Sequence, residues 1–150
     1  NLYFTEQMVI EDHGFQIAAE VNRLIIGATR NWSRNVLLWN LAADKDNRPH
    51  TDNGGCTMCQ GAVTIEGNEV SRNLAYYVIA QASKFVHPGS VRIGSRQTEH
   101  LTDVAFRTPE GKTVLIVANN TVADQPFTVQ VSGKAFSGNL EAGAVGTYFW

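Results

Sequence analysis

The sequence lacks the features that mark several large classes of protein. It has only two cysteines, too few for a disulfide-rich scaffold, and its 12 basic residues nearly balance its 14 acidic ones. The balanced charge disfavours a nucleic-acid-binding domain. No apolar run approaches the ~20 residues that a membrane-spanning helix needs, so we expect no membrane span. No initiator methionine and no leader with a basic and then an apolar region opens the chain.

The composition that remains is that of a folded protein. Of the 150 residues, 43% are hydrophobic and 17% are charged, which is unlike a disordered chain. The length suits one domain or two small ones with a real core. The first residues are already apolar and strand-like, so we expect the chain to be a piece of a longer protein.

Residues 1–87 alternate between strand-like and helix-like patterns. Leu2–Thr5 and Val36–Trp39 are continuous apolar runs, which predict two buried strands of a parallel sheet. A helix is predicted between them, beginning at an Asp12 cap and ending at Gly27. Its apolar face is Phe15, Ala18, Val21 or Asn22, and Ile25.

A second helix is predicted after a long polar stretch and a brief extended piece at 63–65. Ser71 is its expected cap, and its apolar positions are Leu74, Tyr77 or Val78, Ala82 and Phe85. The order strand, helix, strand, loop, helix is typical of an α/β protein. Two parallel strands make no stable sheet alone, so this part needs partner strands that the sequence does not contain.

Residues 88–150 have the pattern of strands only. The break falls at His87–Ser90, where a proline and a glycine end the helix. The short apolar runs after it are separated by turn residues and predict an antiparallel β-sandwich. The predicted strands are centred on 91–93, 104–106, 114–117, 127–131 and 147–150.

Two strand ends carry residues suited to chemistry. Glu6 directly follows the first strand, at its carboxyl end, where catalytic side chains lie in α/β barrels. A carboxylate there can act as a nucleophile, a base or a metal ligand. The alternative is that Glu6 is an ordinary strand-end residue that faces solvent. Trp39 and Asn40 end the second predicted strand. The ring can stack on a sugar and the amide can bind hydroxyls, although a core Trp fits the pattern equally well.

The segment 42–61 is far longer than most strand-to-helix connections, and such loops are usually functional or disordered. It carries His50 among several Asp and Gly residues, a set that suits a hydroxyl-rich ligand or a plain surface loop. It also contains Cys56 and Cys59. One C-x-x-C pair without a second pair is a poor zinc site, and a polar loop is a poor redox motif, so we expect buried thiols or one local disulfide.

Three segments in this order carry a resemblance to a known family. They are Leu2–Gln7 (LYFTEQ), Val36–Leu41 (VLLWNL) and Ser83–Ser90 (SKFVHPGS), and Tyr148–Trp150 resembles a closing sandwich strand. Together they resemble glycoside hydrolase family 30, which includes glucosylceramidases and β-1,6-glucanases. The resemblance covers essentially the whole chain.

The resemblance implies a fold and a site. Residues 1–87 would be the C-terminal part of a (β/α)8 barrel, strands seven and eight, and residues 88–150 a β-sandwich domain. Glu6 would be the catalytic nucleophile of a retaining β-glycosidase. Trp39 and Asn40 would line the sugar subsite, with His50 carried over only weakly because its loop varies. No cofactor or metal is implied.

The resemblance also has a gap. The family's acid/base is an Asn-Glu pair on strand four, and the only candidate here, Asn68-Glu69, sits in a turn after strand eight. We therefore expect a β-glucoside or β-glucan substrate, dependence on an upstream barrel segment, and no activity of residues 1–150 alone. An extracellular or periplasmic location follows from the family only. The alternative is a non-catalytic carbohydrate-binding or structural sandwich with a barrel remnant.

Overall fold

The computed structural model describes residues 1–10 and 16–150. These residues form a helical layer, an antiparallel sheet beneath it and a β-hairpin on the far side of that sheet. The predicted cap Asp12 and the predicted core residue Phe15 lie outside the described residues. Among the described residues, no helix combines the length and the apolar character that crossing a bilayer would require.

Two short parallel strands open the fold, β1 (Leu2–Phe4) and β2 (Ser33–Val36). The predicted strand–helix–strand order is confirmed, but the second strand was placed three residues too late, at Val36–Trp39. Pairing begins earlier because the side chains of Ser33 and Asn35 accept hydrogen bonds from the Phe4 N–H, at 3.0 and 3.1 Å. The prediction that both strands are buried is also wrong, since Leu2, Tyr3 and Leu37 are more than half exposed.

One continuous helix joins these strands in three segments: α1 (Ile17–Glu20), a π-helical segment (Val21–Gly27) and α2 (Ala28–Arg30). The prediction that the helix ends at Gly27 is wrong, because the helix continues to Arg30. The Gly27 backbone is helical, and a Cβ there would come 3.0 Å from the Asn22 carbonyl oxygen, so glycine permits the wider winding. Trp32 is the residue that leaves the helix, with a left-handed φ of 68°.

A small three-stranded sheet follows, made of β3 (Ala42–Ala43), β4 (Val63–Glu66) and β5 (Glu69–Arg72). The helix after it, α3 (Leu74–Ser83), begins at the N-cap Asn73. Ser71 therefore lies in β5 and is not the predicted cap. Asn73 holds the join instead, donating through Nδ2 to the Gly61 carbonyl at 2.9 Å and to Thr64 Oγ1 at 2.8 Å.

The remaining residues form the predicted antiparallel sandwich. Four strands make one sheet in the order β11-β8-β7-β6, and β9 pairs with β10 as a separate hairpin. The hairpin strand β10 was not predicted. The bounds are β6 (Val91–Ile93), β7 (Leu101–Arg107), β8 (Thr113–Asn119), β9 (Gln125–Val131), β10 (Lys134–Leu140) and β11 (Val145–Phe149).

The central strands of the sheet are buried on both faces. In β8, Val114, Ile116 and Ala118 pack against the helices, whereas Leu115 and Val117 face the hairpin. The core on the helix side of the sheet includes Val21, Leu24 and Ile25 from the π-helical segment and Val78 from α3. One hydrophobic core therefore extends from residues 1–87 into residues 88–150.

Two polar contacts fix the helices on the sheet. Arg30 donates to the Asp103 carbonyl at 3.0 Å and to Ser95 Oγ at 3.2 Å, with the Asp103 carboxylate 3.4 Å away. Thr147 Oγ1 donates to Gln81, at 2.7 Å to its side-chain oxygen. Arg30 and Thr147 are thus side chains that orient the helical layer relative to the sandwich.

Candidate active site at the ends of the parallel strands

Glu6 lies two residues beyond the end of β1 and is exposed to solvent. The backbone on either side of it is held by the chain that follows β2. The Phe4 carbonyl accepts from the Leu37 N–H at 3.0 Å, and the Gln7 carbonyl accepts from the Trp39 N–H at 2.9 Å. Glu6 therefore sits on a segment whose position is set from both ends, and its carboxylate is free to meet a ligand.

Trp39 and Asn40 lie beside this segment, as predicted. The Trp39 side chain is 48% exposed, which leaves ring surface for a ligand, and the peptide bond that joins it to Asn40 is cis. The Asn40 carbonyl accepts from the Ala62 N–H at 2.8 Å. Its side-chain oxygen is buried and has no hydrogen-bond partner among the described residues. Such an acceptor is costly, and a donor from a ligand or a further chain segment would satisfy it.

The long segment 42–61 begins with a turn that is held by hydrogen bonds from backbone N–H groups to one carboxylate. The Asp44 carboxylate accepts from the N–H groups of Asp46 and Arg48, both at 2.8 Å. The Arg48 hydrogen bond is the main reason that the pKa of Asp44 lies below its usual value, and the Asp46 N–H and the nearby charge of Arg48 act in the same direction. This carboxylate is therefore the organising group at the start of the loop.

His50 belongs to the same loop, and its side chain is only 12% exposed. Its Nδ1 lies 3.4 Å from the Thr51 carbonyl oxygen and 3.9 Å from the Asp52 carboxylate. Both partners are its sequence neighbours, so these polar contacts do not join His50 to Glu6 or Trp39. The structure sets the backbone segment of Glu6 beside that of Trp39 and Asn40, and the roles of these three residues and of His50 stay predictions.

The two cysteines form a disulfide bond, Cys56–Cys59. The local-disulfide alternative is therefore the one realised, and neither sulfur is a free thiolate here. Residues 1–10 and 16–150 contain no group of three or more His, Cys, Asp or Glu side chains arranged to hold a metal ion. The sulfurs of Cys56 and Cys59 lie 3.8 and 3.4 Å from the Met8 Sδ, two residues beyond Glu6.

The contact with Met8 is the part of the site that sequence reasoning missed. Met8 has no motif around it, and its partners are 48 and 51 residues away in the chain. The order of the segments predicted that the chain after β1 runs beside the chain after β2, because parallel strands end at one edge. Nothing local predicted that the far end of the loop returns to the same place.

Comparison with known proteins agrees with the described fold. The family model for the "Glycosyl hydrolase family 30 beta sandwich domain" matches residues 89–148. The chain is 35% identical to an endo-1,6-beta-D-glucanase of Aspergillus fumigatus over 130 residues, which are 82% of this chain and 27% of the relative. An endo-1,6-beta-D-glucanase of Trichoderma harzianum is 30% identical over 82% of this chain and 26% of its own length.

A solved structure of an endo-beta1,6-glucanase superposes on the whole chain with a TM-score of 0.88 and 29% identity, and the match covers 35% of that structure. The chain thus spans about a quarter of the length of the curated relatives that it matches. The sandwich, its place after the helices and the sequence identity all agree with the resemblance seen in the sequence. Residues 1–150 therefore belong to glycoside hydrolase family 30 and correspond to its C-terminal portion, which carries the β-sandwich domain.

Proposed function

We propose that this chain is the C-terminal part of a retaining β-glycosidase in which Glu6 is the nucleophile. The observation that supports the proposal is the pairing of the two backbone segments that follow β1 and β2. The Trp39 N–H donates to the Gln7 carbonyl at 2.9 Å, so the segment of Trp39 and Asn40 runs beside the segment of the exposed Glu6. A carboxylate at this position can supply one of the two carboxyl groups that cleavage of a glycosidic bond requires, and a neighbouring exposed ring can bind the sugar.

The proposal assigns β1 and β2 to strands seven and eight of a (β/α)8 barrel. Parallel pairing through a helical crossover supports this assignment, because barrels are built from such units. The exposed side chains of Leu2, Tyr3 and Leu37 would be covered by the strands that complete the barrel. The barrel part would end at residue 87, and the sandwich domain would be residues 88–150.

The proposed hydrolysis uses two catalytic carboxyl groups, Glu6 in this chain and a second one in the upstream barrel segment. In a retaining glycosidase the two carboxyl groups stand ~5–5.5 Å apart. Glu6 would attack the anomeric carbon as the leaving oxygen takes a proton from the other group, giving a glycosyl-enzyme. That second group, now ionised, would take a proton from water as the water releases the sugar. Residues 1–150 would then be inactive alone.

The substrate class is a β-glucoside, and β-1,6-glucan is the first to test because two relatives carry the name endo-1,6-beta-D-glucanase. The partners are thus a carbohydrate and the upstream barrel segment. An extracellular or periplasmic location is part of the proposal, and the Cys56–Cys59 disulfide supports it because disulfides persist in oxidising compartments.

The decisive experiment uses a longer protein in which residues 1–150 follow the corresponding upstream part of the Aspergillus fumigatus relative. Glu6→Gln should lower kcat on β-1,6-glucan by roughly 10⁴-fold or more, as loss of a covalent nucleophile does in other hydrolases. Glu66→Gln is the matched control and should leave the rate unchanged, because Glu66 is an exposed carboxylate at the end of β4. Equal rates for wild type and Glu6→Gln would refute the nucleophile role.

The second candidate is carbohydrate binding by the sandwich without catalysis. A cavity of about 540 Å³ between the hairpin and the sheet favours it, since Phe136 and Trp150 line this cavity and Trp150 is 38% exposed. Phe149, the neighbouring aromatic residue, is 51% exposed. Retention of residues 1–150 on insoluble glucan, together with no hydrolysis by the longer protein, would select this function.

A further inference from the structure

The Cys56–Cys59 disulfide lies against the segment that carries the candidate nucleophile. Cys59 Sγ is 3.4 Å and Cys56 Sγ 3.8 Å from the Met8 Sδ. Neither cysteine sulfur bears a hydrogen, so these are packing contacts between polarisable sulfurs rather than hydrogen bonds. Cys59 is 5% exposed and Met8 is half-buried, so the contact is largely shielded from solvent.

On the side of β2, the segment that carries Glu6 is held by backbone hydrogen bonds at the Phe4 and Gln7 carbonyls, and the Gln7 side chain donates to the Met8 carbonyl at 3.3 Å. Glu6 itself is exposed. The disulfide is thus the group that contacts this segment from the side of the loop.

The loop that carries the disulfide is itself held at two points. The Asp44 carboxylate fixes its start, and Asn47 Nδ2 donates to the Thr57 carbonyl at 3.3 Å, which connects the start to the Cys56–Cys59 turn. The four-residue ring closed by the disulfide limits the shapes that this turn can take. The ring is therefore a firm surface against which Met8 rests.

We propose that Met8 and the Cys56–Cys59 disulfide are positioning groups for Glu6 and that the hydrolysis rate depends on their contact. The inference rests on the proposed function of Glu6. None of these three residues touches the substrate; they act by holding the nucleophile segment where attack is possible. Misplacement by about 1 Å costs on the order of 100-fold in rate, so a loosened contact should lower kcat by about 10–100-fold.

The test uses the longer protein described above, with Met8→Ala, Met8→Leu and the double variant Cys56→Ser/Cys59→Ser. Met8→Ala and the double variant should lower kcat per folded molecule by about 10–100-fold with KM within about twofold, because subsite residues stay in place. Met8→Leu fills nearly the same volume and should recover most of the rate. Val122→Ala, which shortens a fully exposed apolar side chain in the sandwich, is the control and should leave kcat unchanged.

A second measurement separates positioning from loss of folding. A dithiol reductant passes two electrons and two protons to the disulfide, leaving two thiols and an oxidised reductant. Hydrogen peroxide applied after removal of the reductant should oxidise Met58 in both states and Met8 faster once the disulfide is open. Peptide mass spectrometry reads both sites, and circular dichroism verifies that each sample is folded.

The outcomes distinguish the two proposals. An inactive wild type would remove the proposed function, and the positioning role would fall with it. An active wild type whose kcat is unchanged in Met8→Ala and in the double variant would overturn the positioning role alone. A loss of rate that matches the loss of folded protein, or equal loss in Met8→Leu and Met8→Ala, would also overturn it.

Discussion

Asn119 is fully buried at the end of β8 and connects three parts of the sandwich. Its Nδ2 donates to the carbonyls of Ala123, Leu140 and Glu141, each at 2.9 Å. Its Oδ1 accepts from the Thr121 N–H at 3.0 Å and from the Thr121 hydroxyl at 2.8 Å. The side chain therefore fixes both the turn after β8 and the end of β10.

Asn119→Ala should be strongly destabilising, and the size follows from these contacts. The Leu140 carbonyl would be left buried without this donor, which costs roughly 1–3 kcal/mol. The second Nδ2 hydrogen, shared between the Ala123 and Glu141 carbonyls, and the Oδ1 acceptor of Thr121 are counted as two partly buried bonds. At about 0.5–1.5 kcal/mol each they bring the total to about 2–6 kcal/mol. With a urea m-value of about 2 kcal/mol/M, a loss of about 4 kcal/mol lowers the unfolding midpoint by about 2 M.

The neighbouring residue provides the control. Asn120 is exposed and makes one side-chain hydrogen bond, to Thr102 Oγ1 at 3.3 Å, so Asn120→Ala should change stability by no more than about 0.5 kcal/mol. Urea unfolding followed by tryptophan fluorescence compares the two variants with wild type. If Asn119→Ala unfolds at the same urea concentration as Asn120→Ala, the argument from buried hydrogen bonds is wrong.

Two further predictions concern the loop and the join between helix and sandwich. The pKa of Asp44 is lowered in the folded state, so its stabilising effect is present above the unfolded value near 3.8 and is lost as pH falls further. The stability difference between wild type and Asp44→Asn should therefore shrink below about pH 4, and a difference that stays constant as pH falls through this range would contradict the reasoning. Arg30→Met should lower the free energy of unfolding by about 1–3 kcal/mol because Asp103 loses its partner. In the same urea titration Arg34→Met, which removes only an exposed bond to Asn1, should cost less than about 0.5 kcal/mol, and equal losses would refute the assigned role of Arg30.

The sequence predicted the sandwich strands best where apolar residues were dense. The runs around Val91, Val104 and Val114 all lie in strands, because a β-branched apolar run can be buried on a sheet and has few alternatives. The strand β10 was not predicted because its sequence, which includes Lys134, Ser137 and Gly138, lacks the dense apolar residues of the other strands. Gly138 is there because the Phe127 ring lies across it, and a Cβ would come 2.9 Å from that ring.

The candidate site was predictable to the extent that it follows the chain order. Glu6 and Trp39 each follow a strand, and parallel strands bring their ends together without further information. The ordering of the loop depends on a local turn, in which Asp44 accepts from residues two and four positions later, and on the contact of Met8 with the disulfide. The Met8 contact leaves no pattern in neighbouring residues, because it is decided by how distant segments pack.

The double burial of β8 has a consequence for how the molecule can be divided. Every residue of this strand is buried, one face under the helices and the other under the hairpin. A chain cut at residue 87 would expose the face formed by Val104, Val114 and Ile116 to water, and such a surface favours aggregation. The two parts should therefore melt in a single cooperative transition, and a destabilising change in the sandwich would lower the fraction of molecules in which Glu6 is correctly held.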